Sequence, residues 1–487
     1  MIITGVLFDI TGIQRYIFGS NKLKENLGAS FLVESIYKEF LRDIANSVFR
    51  GRERLDCWHH ERERLYIKDS NVDMEIGYIG GGNALLFFRD QDKAVQFVKE
   101  WSKRLLVETS GLSTAVAMKD IDLDNPQQGV TDLFKELNKN KFTYHPQVTL
   151  PRHGITTECS HTGLSAECHW VEDKKEEYIS SVAASKLKHE GPAHKMFSDL
   201  FKDILADYKF PKKLEELGQS KGESHIAIVH IDGNDMGKRF MECATIPALR
   251  DLSISLRQAT EGAMKSLLKQ IPIRPIILGG DDVTFVTDAR LGVYFAEEFI
   301  KVFVQKKVSD NKPLSVCAGV AITKTKYPFY RGYELAEQLC SSAKKKAKDK
   351  EGESWLDFHI AYGGFSGELS DIRERHYTVK TGELCYRPYR ICPETVDSYS
   401  FTEFKKGMKR LHQWPRNKQK ELIEVLGLGE EATKQFITDM KHRVHILPDI
   451  QGIPELKDRG WCNQKTPYFD MLELMEFYPL DKIKEGD

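Results

Sequence analysis

Two short stretches of this sequence put acidic side chains where apolar runs end. Ile231-Asp232-Gly233-Asn234-Asp235 closes the run 224–232, and Gly279-Gly280-Asp281-Asp282 lies between the runs PIIL and VTFV. A glycine pair between β-branched segments predicts a tight hairpin. Glycine takes the positive φ of a two-residue turn and leaves the backbone bare for close approach by a phosphate. Two aspartates at that hairpin and one at a neighbouring strand end would place three carboxylates within reach of one another. Hard oxygen donors of this kind suit Mg2+ or Mn2+ held jointly with substrate phosphates. The chemistry they would support is two-metal transfer, in which one ion activates a 3′-hydroxyl and the other neutralises a leaving pyrophosphate. Asp232, Asp281 and Asp282 are the expected ligands, and Asp235 is a further candidate. A bare GGDD in a loop would read as a solvated turn, but here apolar strands flank it on both sides.

The elements that must position these residues occur twice. The strand candidate 2–10 is followed by a helix candidate at 20–49 and the hairpin EIGYIGGGNALLFF (75–88). A helix candidate at 92–108 and a strand at 113–118 complete the first copy. The second copy runs 224–232, helix 246–270, hairpin 274–288, helix 290–308 and strand 315–322. Each copy is thus strand, helix, glycine hairpin, helix, strand, which predicts an α/β unit whose first strand lies beside its hairpin. The first hairpin reads Gly80-Gly81-Gly82-Asn83 where the second reads GGDD, so it lacks the carboxylates for the same metal pair. Between the copies, 178–191 and 193–210 have helical spacing. After 365 helix signals dominate, at 401–414 and 418–441, and 448–487 reads as an irregular docked tail.

Composition sets the frame. With 71 Lys plus Arg against 72 Asp plus Glu, the chain of 487 residues has a formal net charge of -1, so no global basic field recruits nucleic acid. Its length predicts two to four packed units. Nine cysteines spread through the chain fit a reducing compartment. The start MIITGVLFDI has no basic leader, and no run is long enough to span a membrane, so a cytoplasmic protein is expected. Cys159, His161, Cys168 and His169 offer four ligands within a short span, which reads either as a zinc site or as a metal-free loop.

In order along the chain, FDITGIQRYIFGSNKLKENLGAS (8–30), GGGNALLFF, CSHTGLSAEC, GGDD and AGVAITKTKYPFYRGYELAEQLCSSAKKKAK (318–348) resemble the large palm-domain subunit of type III CRISPR effector complexes. Paired palm domains of that family make cyclic oligoadenylates from ATP. The resemblance covers most of residues 1–365. It implies two ferredoxin-like palm domains of the polymerase and nucleotide-cyclase type in an α/β (α+β) chain, with a small Cys/His insert and a helical C-terminal domain. The boundaries expected are 1–150, 151–222, 223–365 and 366–487.

The resemblance makes the second copy the active palm, with Asp232, Asp281 and Asp282 on Mg2+ or Mn2+ and Gly279 and Gly280 under the phosphates. It further implies Gly233, Asn234, Lys344 and Lys348 as nucleotide contacts, although a solvated helix end would carry the same lysines. The degenerate first copy would receive the acceptor nucleotide at Asp9, Gln14, Asn21, Gly82 and Asn83, or serve only as a packing partner. The family commonly carries a zinc ribbon near the Cys/His cluster, with more cysteines than here. It also commonly begins with a nuclease domain marked by a His-Asp pair. His59-His60 has no following Asp, so DNA cleavage by such a domain is not expected. ATP is the implied substrate, guide or target RNA and effector subunits are the implied partners, and no membrane is involved. Two other classes stay open: a ribonucleoprotein scaffold subunit, and a GGDEF-like synthase making a cyclic dinucleotide from GTP.

Overall fold

The computed structural model describes residues 1–143, 154–172, 174–205, 208–218, 224–270, 272–348, 352–363 and 367–483. Two sheets organise it. In the first, β1 (Ile2–Thr11), β2 (Glu53–Arg54), β3 (Met74–Gly80), β4 (Asn83–Phe88) and β5 (Ser113–Asp122) lie in the order β2-β3-β4-β1-β5. β6 (Cys168–Glu172) and β7 (Lys175–Ile179) form a separate hairpin. The second sheet draws on β8 (His225–Gly233), β9 (Ile273–Gly279), β10 (Asp282–Asp288), β11 (Val316–Lys324) and β12 (Ser354–Ile360). β13 (Thr378–Val379) and β14 (Gly382–Glu383) pair only with each other, and β15 (Tyr389–Ile391) closes the second sheet in the order β15-β12-β11-β8-β10-β9.

The repeat seen in the sequence is a repeat of topology. Without their added edge strands the sheets read β5-β1-β4-β3 and β11-β8-β10-β9, so each copy's first strand sits between its fourth and its third. This is the ferredoxin-like order, and it follows from two strand–helix–strand crossovers around one hairpin. The central strands are apolar on both faces because helices cover one side and the rest of the chain packs on the other. Val6, Leu7, Ile228 and Val229 are fully buried.

The two sheets are joined by reciprocal contacts. The helix Leu23–Ser35 of the first copy lies on β9, where Ser30 Oγ donates to the Ile276 carbonyl at 2.5 Å. The helix Ile246–Leu268 of the second copy lies on β3, where Ser253 Oγ donates to the Ile79 carbonyl at 3.0 Å. The second contact is pinned by Arg250, which is fully buried and pairs with the equally buried Glu75 at 2.8 Å. Its guanidinium also donates to the carbonyls of Gly77, Ile76, Arg62 and Arg64, so every N–H direction is met. A charge removed from water this completely is tolerated only because it is paired and hydrogen-bonded.

Three expectations are corrected. The second sheet runs past residue 365, because β15 pairs antiparallel with β12. The segment 418–441 is two helices, Arg416–Leu428 and Glu430–His442, broken at Gly429. Gly429 has φ of 102°, and a β-carbon there would lie 2.3 Å from Thr381 Oγ1, so the break is a packing requirement. The tail is docked as expected but is not irregular throughout. It holds the helix Tyr468–Leu474 and buries Trp461, Tyr468 and Asp470. No helix among the described residues is long and apolar enough to cross a membrane.

Candidate active site in the second palm

β8 carries Asp232 one residue before its end, and its register with β10 matches Ile231 to Val283, which brings Asp282 alongside Asp232. The hairpin turn is Gly280-Asp281, since Gly279 and Asp282 are the last paired residues. The expected Gly-Gly turn is therefore shifted by one, and Gly280 alone takes a left-handed φ, 61°. The shift puts Asp281 at the tip. There it packs on Gly233, where a β-carbon would come within 2.7 Å of Asp281 Cβ. Gly233 is thus required for room beside an acid.

The three carboxylates are close enough to act on one another's charge, and each is partly enclosed by protein. Burial pushes the Asp281 and Asp282 carboxyls up to about 7, and the charge of Asp232 adds to the effect. Lys344, on the helix Phe329–Ala347, answers this negative charge. Its Nζ lies 2.5 Å from Asp232 Oδ2 and 2.8 Å from the Gly233 carbonyl. The amide of Gln14, from the first copy, faces Asp282 and favours its charged form. Asp282 Oδ1 is buried and takes no hydrogen bond among the described residues. His230 Nδ1 lies 3.5 Å from it.

No three His, Cys, Asp or Glu side chains among the described residues already form a complete ligand set. Mg2+ does not require one, because it is usually held by one or two carboxylates together with substrate phosphates. An all-carboxylate donor group with an orphaned buried oxygen fits that ion or Mn2+ on chemistry.

The other expected residues divide. Asn234 is engaged by structure: its Nδ2 donates to Ser315 Oγ at 3.1 Å and to the Glu353 carbonyl at 3.2 Å. Asp235 is exposed, has φ of 56°, and starts the short helix Met236–Met241. Lys348 follows Lys344 by one turn and is exposed. Lys350, further along the same lysine-rich run, lies outside the described residues.

In the first copy, Asp9 pairs with Asn83 in the register and sits 2.8 Å from Lys141 Nζ, while Gly82 has φ of 78°. Gly82 accepts from Tyr37 Oη at 2.9 Å and from Ile10 N at 3.1 Å, and Asn83 Oδ1 is buried without a partner among the described residues. Asn21 is exposed ahead of the helix Leu23–Ser35. The two glycine hairpins abut: a β-carbon on Gly280 would lie 4.0 Å from Gly81 N.

The four Cys/His residues are not gathered around a point. Cys168 and His169 are neighbours on β6 and so face opposite sides of the hairpin. His169 lies beside Glu176 at 3.3 Å, and buried His161 has Nδ1 2.6 Å from Glu25. The residues present do not fit a four-ligand zinc site.

Sequence reasoning missed His230, whose Nδ1 is 3.1 Å from Thr284 Oγ1, and Lys141 as the partner of Asp9. A lone histidine in an apolar strand carries no spacing signal. Lys141 would have been found by aligning the helix after β5 with the helix after β11.

Residues 225–352 match the family model described as Cas10/Cmr2, second palm domain. No curated protein sequence matches the chain. Among solved structures, Csm1 of T. onnurineus is similar at a TM-score of 0.53 and 14% identity, covering 99% of this chain and 70% of that one. The Csm1-Csm4 subcomplex of the type III-A CRISPR-Csm interference complex is similar at 0.53 and 12% identity, over 98% of this chain and 69% of that one. The Csm1-Csm4 cassette solved with cA4 is similar at 0.50 and 13% identity, over 98% and 69%. At such identities the likeness is one of fold. The chain is therefore similar to the Cas10/Cmr2 second palm over residues 225–352 and to Csm1 in its overall fold.

Proposed function

We propose that this chain is a nucleotidyltransferase that converts ATP to cyclic oligoadenylate in CRISPR-type antiviral defence, acting at the cleft of Asp232, Asp281 and Asp282. The observation that carries the reading is the asymmetry of the two palms: among the described residues the second brings three carboxylates and a lysine together, beside the hairpin of the first, whereas the first has one carboxylate and a lysine. Asp232, Asp281 and Asp282 would hold Mg2+ or Mn2+, which when bound supplies activation of the attacking hydroxyl and neutralisation of the leaving pyrophosphate.

This chain's own residues do the positioning. Gly279 and Gly280 keep the hairpin backbone bare beneath the phosphates, and Gly233 lets Asp281 stand against β8. Lys344 holds Asp232 when no phosphate is present and is placed to turn its ammonium to the triphosphate, with Lys348 one turn further along. The abutting hairpins bring the first copy's Asp9, Gln14, Gly82 and Asn83 next to the cleft, where they would orient the acceptor nucleotide. Csm1-Csm4 cassettes of this fold have been solved with AMPPNP, pppApA, cA3 and cA4, which supports adenine nucleotides as the class. We further infer work within an effector assembly: the Csm1-Csm4 subcomplex supports a Csm4-like subunit, and guide or target RNA is proposed as the other partner.

The test is incubation of purified protein with each nucleoside triphosphate and Mg2+ or Mn2+, with products identified by mass spectrometry. Cyclic oligoadenylate from ATP is expected. A cyclic dinucleotide from GTP, or no product with or without RNA, would overturn the reading.

A further inference from the structure

Away from both hairpins, a cavity of about 480 Å3 opens between the end of β12, the helix Leu369–Tyr377 and the helices Arg416–Leu428 and Tyr468–Leu474. This volume falls in the range of roughly 300–1,000 Å3 typical of small-molecule sites. Three aromatic rings line it, those of Tyr362, Tyr377 and Phe469. Tyr377 and Phe469 meet edge to face with ring centres 5.8 Å apart. Tyr362 is 52% exposed, a large aromatic surface left open at the mouth.

The polar groups are sorted by depth. At the floor, His359 is 7% exposed, and its Nδ1 lies 3.4 Å from Tyr377 Oη. Burial, aided by the charge of Arg387, pushes the imidazole down to about 3, so it is neutral and offers one donor and one acceptor. Tyr377 Oη donates to Glu473 at 2.6 Å, which satisfies that acid inside the wall. At the mouth stand two exposed cations, Arg416 and Lys420. Arg416 is tied only to Glu476, at 3.1 Å, and both side chains are more than half exposed, so this pair is easily exchanged.

An aromatic slot with a neutral hydrogen-bonding floor and a cationic mouth suits one ligand chemistry: a planar heterocycle carrying an anionic tail. Stacking on aromatic rings and charge-assisted contacts to phosphate are how single nucleotides are held without a duplex. We infer that this cavity is a nucleotide-binding site separate from both palms, taking a nucleoside 5′-phosphate with its base between Tyr362, Tyr377 and Phe469 and its phosphate at Arg416 and Lys420.

The experiment is calorimetric titration of the full chain in EDTA, with AMP, adenosine and a 5′-phosphorylated single-stranded oligonucleotide as separate ligands. The Asp281→Ala/Asp282→Ala protein is run in parallel, so that loss of palm binding is distinguished from loss of this site. AMP is expected to bind at one site equally in both proteins. Lys420→Glu should weaken it about tenfold, as loss of a charge-assisted phosphate contact would. Ala361→Trp, which fills the slot from its rim, should abolish binding, with the melting curve reporting whether the variant folds. Tighter binding of the oligonucleotide than of AMP would make a strand end the natural source of the nucleotide, and the reverse would make it a free nucleotide. Equal binding of adenosine and AMP, AMP binding indifferent to Lys420→Glu, or no saturable AMP binding would overturn the assignment.

Discussion

The two palms share a topology, a two-residue hairpin turn and an Asp–Lys pair, yet differ in the residues at that turn. Asp9 and Asp232 end the same strand, and each is held by a lysine from the helix after the fourth strand, Lys141 in one copy and Lys344 in the other. Beside them the register places Asn83 where the second copy has Asp282, and Gly82 where it has Asp281. The residue after the strand-end acid changes in the opposite sense: bulky Ile10 stands opposite glycine, and Gly233 stands opposite an acid. One palm carries a glycine and an amide at its hairpin, and the other carries two carboxylates there.

The sharpest way to break this contrast is to remove the added charge. Asp281→Ala/Asp282→Ala should reduce synthesis to background without lowering the melting temperature, since acids buried beside another acid do not stabilise the ion-free fold. Product yield and thermal unfolding on the same protein check both halves. Asp9→Asn, in the first palm, should leave the chemical step intact and change acceptor use, read as apparent ATP affinity.

Space is the next lever. Gly233→Ala forces a β-carbon against Asp281, and displacing a ligand by about 1 Å can cost on the order of 100-fold in rate. Ile10→Ala at the matched position of the first palm should show no such loss in turnover.

The palms must also stay in register with each other. Arg250→Met leaves Glu75 buried without its partner and should destabilise the protein by about 3–5 kcal/mol in denaturant unfolding. Ser30→Ala, at the reciprocal contact, removes one neutral hydrogen bond and should cost only about 1 kcal/mol.

The smallest effect concerns Glu25, buried on the helix Leu23–Ser35 against His161. Burial pulls the His161 imidazole down, but the Glu25 carboxylate outweighs it, so the folded value is raised above the usual 6.5. The native state then holds the proton more tightly than the unfolded chain. Its stabilisation is complete below about pH 6.5 and fades as pH rises through the folded value, at no more than about 1.4 kcal/mol per pH unit. Unfolding measured across that window should lose this slope in His161→Gln.

Much of the fold was legible because apolar runs of strand length alternate with helix-length amphipathic segments in the same order twice. The hairpins were legible as glycine pairs, and Asp232, Asp281 and Asp282 as acids at strand ends. What stayed hidden depends on register and long-range contact. Only strand pairing shows that the turn is Gly280-Asp281, and only packing against Thr381 explains why Gly429 breaks a helix. The edge strand β15 is three residues long and has no period to detect. The cysteine and histidine spacing near residue 160 suggested a metal site, but strand alternation sends Cys168 and His169 to opposite faces, and His161 is claimed by Glu25.

The most direct test of the division between the palms is a product assay with ATP and Mg2+ or Mn2+ on three proteins, the unmodified chain, Asp281→Ala/Asp282→Ala and Asp9→Asn, with products resolved by mass spectrometry. Cyclic oligoadenylate is predicted from the unmodified chain and from Asp9→Asn, and none from the double variant. Undiminished product from a folded double variant would contradict the placement of catalysis in the second palm.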